Sequence, residues 1–72
     1  MKYVMIRECL PIVFTEAIQH DTFRSLGVTS AGFCDITWDE QGQYVQAYGE
    51  SVSLRLKPAP GDTKILTQFM IK

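Results

Sequence analysis

The stretch Phe33–Tyr48 constrains this chain more than any other. Two runs rich in β-branched and aromatic residues, Phe33-Cys34-Asp35-Ile36-Thr37-Trp38 and Tyr44-Val45-Gln46-Ala47-Tyr48, flank Asp39-Glu40-Gln41-Gly42. That pattern is a β-hairpin. Aspartate at the first turn position and glycine at the fourth suit a type I turn closed by a bulge, with Gly42 at positive φ. A three-residue loop sets Trp38 opposite Tyr44, Ile36 opposite Gln46 and Cys34 opposite Tyr48. This set makes an inner face that should meet helices. Phe33, Asp35, Thr37, Val45 and Ala47 then form a mixed outer face, free for solvent or a partner. Side chains alternate with a period of two, so a one-residue slip in pairing exchanges the two faces of a strand.

Around the hairpin the chain divides into short pieces. Lys2 to Arg7 puts Tyr3 and Met5 on one face and Val4 and Ile6 on the other, which suits a strand covered on both sides, or on one side with a partner on the other. Pro11 lacks an N–H and belongs at a strand start or an edge. Ile12-Val13-Phe14 reads as a second strand, paired with the first. Asp21 can cap a short helix through Thr22–Leu26, with Phe23 and Leu26 toward the sheet and Gly27 as its left-handed end. Gly49-Glu50-Ser51 reads as a bend, and Val52–Leu56 alternates as a further strand or strand extension. Pro58-Ala59-Pro60-Gly61 breaks the structure. A last helix follows from Asp62 to Ile71, docked through Ile65, Leu66, Phe69 and Met70.

The expected fold is therefore α+β: one small domain over residues 1–72, a two-layer structure with an antiparallel sheet of about four strands and two helices packed on one face. At 72 residues the core is small, and self-association, a metal or disulfides are the usual supports. The apolar content of 46% is that of a globular chain, not a disordered one. The formal charge is −1, with no block of either sign, so neither a basic nucleic-acid face nor an acidic mimic of one is present in the totals. No segment has the roughly 20 apolar residues of a membrane span. The charged N-terminus does not read as a secretory signal. Cys9 and Cys34, the only cysteines, are accordingly expected as free thiols in a cytoplasmic protein.

Few residues have a claim on chemistry. His20-Asp21 is the one histidine–carboxylate pair, but neighbours in sequence point apart, and a surface histidine beside a helix start explains it as well. Cys34 could be a nucleophile served by His20, yet no basic residue flanks it, and it packs equally well as a small apolar residue. Ser51 and Ser53 lie beside Gly49 without a phosphate-loop or nucleophile-elbow pattern, and a bent strand accounts for them. Phe33, Trp38, Tyr44 and Tyr48 could stack bases, but Asp35, Asp39, Glu40 and Glu50 lie among them, so a core or a protein interface fits better. No cysteine or histidine spacing suits a metal.

At Ser30-Ala31-Gly32-Phe33-Cys34 and at Tyr48-Gly49-Glu50-Ser51-Val52-Ser53-Leu54-Arg55-Leu56-Lys57-Pro58, the chain resembles small uncharacterised proteins encoded in bacterial phages and prophages. The resemblance runs from the first strand through Asp62 and implies a bacterial or phage cytoplasmic setting. It carries no catalytic or binding residues across.

The expected function is that of a non-enzymatic accessory or interaction protein, a homodimer or larger. It would need no cofactor, catalytic residue or metal, and would work through a surface that includes Phe33, Asp35, Thr37, Val45, Arg55 and Lys57. Its partner is expected to be protein, either another chain or itself, not nucleic acid or a membrane. The size argument supports this. So small a chain cannot enclose Tyr3, Phe14, Phe23, Phe33, Trp38, Tyr44, Tyr48 and Phe69 in one core, and an open sheet edge invites pairing. The alternative is a small nucleic-acid-binding regulator using Arg55, Lys57 and Lys64. A small enzyme ranks third.

Overall fold

In the computed structural model, which describes residues 1–71, the four-stranded antiparallel sheet and both helices are present. The strands are β1 (Lys2–Ile6), β2 (Leu10–Phe14), β3 (Val28–Asp39) and β4 (Gly42–Tyr48), in the order β2-β1-β3-β4. A 3-10 helix covers His20–Leu26, and α1 covers Asp62–Met70. The α+β class is thus as expected.

The placement of the helices is not. They lie on opposite faces of the sheet, and β1 gives the reason. Its Tyr3 and Met5 join Cys34, Val45, Ala47 and Leu66 of α1 in one cluster, while Val4 and Ile6 join Phe14 and Ala31 in another, with Phe23 of the 3-10 helix packed against it. A central strand that is apolar on both faces needs cover on both.

The hairpin forms with Gly42 at φ 122, but its pairing is one residue from the expected one. Asp39 pairs with Gly42, so the turn is the two residues Glu40 and Gln41, and Asp39 Oδ1 accepts the Gln41 amide at 2.8 Å. Ile36 consequently faces Val45, Cys34 faces Ala47, and Phe33 faces Tyr48. The assignment of β3 stands, with Cys34 inward, whereas every residue of β4 changes face. Val45 and Ala47 enter the core, and Tyr44 and Tyr48 move to the side of Phe33. The cause is burial. Val and Ala pack under α1, whereas tyrosines on that face would have to bury their hydroxyls.

The β1–β2 turn has no glycine. Arg7 and Glu8 take φ of 49 and 66, and the Cys9 amide donates to Ile6 O at 3.1 Å. Two successive left-handed residues match the twist of a hairpin but are strained for L-amino acids. Outside contacts hold them: the Arg7 amide donates to Gly27 O at 3.0 Å and the Glu8 amide to Thr29 Oγ1 at 2.9 Å. Gly27 itself ends the 3-10 helix at φ 79, as its sequence position predicts. That helix begins one residue before Asp21, and no side chain caps it.

Residues 51–56 form a tight turn and not a strand. Ser51 and Leu56 exchange backbone hydrogen bonds of 2.7 and 3.2 Å, and Arg55 is left-handed at φ 57. Leu54 and Leu56 tuck against the Val4–Ile6 cluster, while Val52 is left 81% exposed. The alternation is that of a turn with two leucines folded under it.

On α1 the docked stripe is rotated from the expected one. Leu66 and Asp62 are buried, Ile65 and Met70 are half-buried, and Phe69 is 52% exposed. Thr63 and Thr67 set the rotation. Their hydroxyls accept the Ala47 and Val45 amides at 3.1 and 2.9 Å. Those amides would otherwise stand unpaired at the β4 edge, so α1 closes it. The opposite edge, β2, is five residues long and contains Pro11. Of the two sheet edges that could invite pairing, the β4 edge is therefore occupied by α1.

Candidate functional site

The residues proposed from the sequence do not converge on one place. Phe33, Asp35 and Thr37 lie on the sheet face opposite α1, together with Tyr44 and Tyr48. The Tyr48 hydroxyl donates to Asp35 Oδ2 at 2.8 Å, and that bond raises its pKa. Val45 is fully buried and belongs to no surface. Arg55 and Lys57 line a groove at the far end of the molecule from the hairpin turn, and Lys64 is exposed on α1.

The catalytic alternatives come apart on inspection. His20 is buried, edge-on to Phe14 and Phe33 with ring centroids 5.5 and 5.6 Å away, and its Nε2–H donates to Gly32 O at 2.8 Å. Facing a carbonyl, that nitrogen can only donate, so it is spent on holding the 3-10 helix to the sheet. Cys34 is on the opposite face, inside the α1 cluster, where burial raises its thiol pKa and makes it a poor nucleophile. Cys9 and Cys34 are both free thiols, the first exposed and the second buried. Among the described residues no three His, Cys, Asp or Glu side chains are grouped to hold a metal.

One polar cluster escapes sequence reasoning. Asp62, at the start of α1, is buried, and its Oδ2 accepts from the Tyr3 hydroxyl at 2.6 Å, the Ser30 hydroxyl at 2.6 Å and the Ala59 amide at 2.9 Å. Burial and the bond to this carboxylate push the Tyr3 hydroxyl pKa far above its ordinary value. The oxygen is saturated by donors and lies at the positive end of a helix, so it is a pin for α1 and not a poised base. The sequence offered only the helix-start aspartate. Nothing in the spacing of Tyr3, Ser30 and Asp62 announces that they meet.

Two surface features remain. The first is apolar. Ile36 and Trp38 continue the inner face of β3 past the part that α1 covers, and they are 46% and 71% exposed. The second is the groove, about 680 Å³, bounded by Thr29 and by residues between Glu50 and Pro60. No helix among the described residues is long and apolar enough to cross a membrane. Comparison with protein-family models, with curated proteins and with solved structures finds no match for this chain.

Proposed function

We propose that this protein is a non-enzymatic interaction protein that associates with a second copy of itself through the Ile36–Trp38 end of its sheet. The observation that carries this reading is Trp38, 71% exposed beside a half-exposed Ile36 on a face whose other residues form the core. Tryptophan is enriched among the residues that carry most of the energy of protein interfaces. With the β4 edge closed by Thr63 and Thr67 and the β2 edge short and interrupted by Pro11, a face is the more favourable route to assembly. A two-fold axis would pair the same patch with itself. The low net charge opposes this weakly. The resemblance to phage and prophage proteins supports a bacterial or phage cytoplasmic setting.

Light scattering at micromolar concentration tests the reading. The expected mass is that of a dimer, falling to a monomer in Trp38→Ser. A monomer in the unmodified protein overturns it.

A nucleic-acid-binding role for Arg55, Lys57 and Lys64 has less support. Arg55 and Lys57 share one groove, but Glu50 lines it too, and Lys64 lies on a different element. Retention on DNA that falls steeply with salt would favour it.

A further inference from the structure

We propose that the groove between the 51–56 turn and the Lys57–Pro60 segment binds an extended peptide of a partner protein that carries an acidic residue next to apolar ones. The inference goes beyond the self-association proposed above and does not depend on it.

Three observations carry it. The first is the lining. Val52, Leu56, Pro58 and Pro60 supply apolar walls, and Arg55 and Lys57 supply charge. Neither cation forms an ion pair among the described residues. The second is the conformation of Arg55. It holds a left-handed φ of 57, where glycine would sit without strain, so the turn keeps a guanidinium at a backbone cost. The third is Ser51. It is buried, its oxygen accepts the Leu54 amide at 3.3 Å, and its backbone exchanges hydrogen bonds with Leu56 across the turn. Ser51 thus fixes the turn that carries Arg55, and a guanidinium without an internal carboxylate suits an acidic partner.

The occupant follows from shape and charge. Glu50, Val52, Arg55, Lys57, Ala59 and Pro60 are exposed, so the groove is open along its side. A small molecule is held by burial of most of its surface, which walls this open do not provide. An extended chain lies in an open groove and gains contacts along its length. Glu50 in the same lining disfavours a run of phosphates and tolerates a single acid. The wall is also preformed: Arg24 donates to Ser53 O at 3.0 Å, and Leu54 and Leu56 are anchored beneath the turn.

The test is a titration of the ¹⁵N-labelled protein with a capped six-residue peptide of leucine and alanine that carries one central aspartate. Parallel titrations use the same peptide with lysine for aspartate, and hexathymidine DNA. The amides of Thr29, Ser51, Val52 and Leu56 should shift with the aspartate peptide alone. Arg55→Gly removes the guanidinium and relieves the φ. It should melt no lower than the parent and bind the peptide about tenfold or more weakly. The inference is overturned by silence of those amides, by equal binding of the lysine peptide, by tighter binding of the DNA, or by undiminished binding in Arg55→Gly. Light scattering on the same samples reads self-association separately. A monomer whose groove amides still shift keeps the peptide site and removes the dimer.

Discussion

Asp62 is a carboxylate taken out of water and given three donors in exchange. Replacing it by alanine leaves two buried hydroxyls and one amide without their acceptor. Asp62→Ala should therefore cost about 3 kcal/mol or more in a denaturant melt, and Asp62→Asn, which keeps an acceptor oxygen, clearly less. The same cluster sets an alkaline limit. The Tyr3 hydroxyl is raised in the folded state, by burial first and by the bond to Asp62 second. Its proton is thus held more tightly folded than unfolded. The stabilisation is complete below the unfolded tyrosine value, near 10, and is lost as pH rises above it. Unfolding free energy measured from pH 8 to 11 should begin to fall near pH 9, where the buried Cys34 thiol is also raised, and fall more steeply above 10. A curve still level at pH 11 would contradict the burial of this hydroxyl. Tyr48 is exposed and tied to Asp35, so Tyr48→Phe should leave the fall in place.

The strain in the first hairpin is also a matter of single residues. Glu8 is exposed and left-handed at φ 66. Its backbone bond to Thr29 does not depend on its side chain. Glu8→Gly should raise stability by about 1 kcal/mol, read as a higher denaturation midpoint at unchanged slope. A lower midpoint would mean that the glutamate side chain contributes more than the strain it imposes.

At the scale of elements, α1 does two things that its apolar stripe does not reveal. It covers one sheet face with Leu66, and it closes the β4 edge with two threonine hydroxyls one turn apart. Thr67→Val keeps the shape and removes the acceptor for the Val45 amide. The expected loss is about 1 kcal/mol, with slow aggregation at high concentration as the edge opens. A variant as stable and as soluble as the parent would show that the edge needs no cover. Phe69 makes the contrasting case. A helical stripe of Ile65, Leu66, Phe69 and Met70 reads as one docked face, yet the threonine bonds rotate the helix and bring Phe69 to the surface. The two leucines of the 51–56 turn mislead similarly. Alternation marks which side chains are buried, and a turn folded back on itself produces it as readily as a strand does.

For the whole molecule, the aromatic surplus inferred from size is real but falls elsewhere than expected. Phe14, Phe23 and Phe33 gather around His20 on one face. Trp38 is the aromatic left most open on the other. If two copies pair through Trp38, folding is coupled to association, and the melting temperature should rise with protein concentration in the parent and stay constant in Trp38→Ser. A melting temperature independent of concentration in both would count against pairing.

The sequence by itself determined the α+β class, the first strand as apolar on both faces, the hairpin centred on Asp39–Gly42, the left-handed Gly27 and the location of the last helix. All of these rest on local signals, in turn residues and in the period of apolar side chains. It put Phe33, Asp35, Thr37, Val45, Arg55 and Lys57 on one candidate surface, whereas Arg55 and Lys57 share a groove, Phe33, Asp35 and Thr37 lie on a sheet face away from it, and Val45 is buried. Only the tertiary structure decided the hairpin register, the opposite faces of the two helices, and the meeting of Tyr3, Ser30 and Asp62. Register turns on a choice between two loop lengths with nearly equal local preference. The choice is made by whether Val45 and Ala47 or Tyr44 and Tyr48 can be buried beneath a helix that begins only at Asp62, well beyond the hairpin. The Asp62 cluster joins residues 59 and 32 positions apart, and no short-range pattern encodes a hydrogen bond across that span.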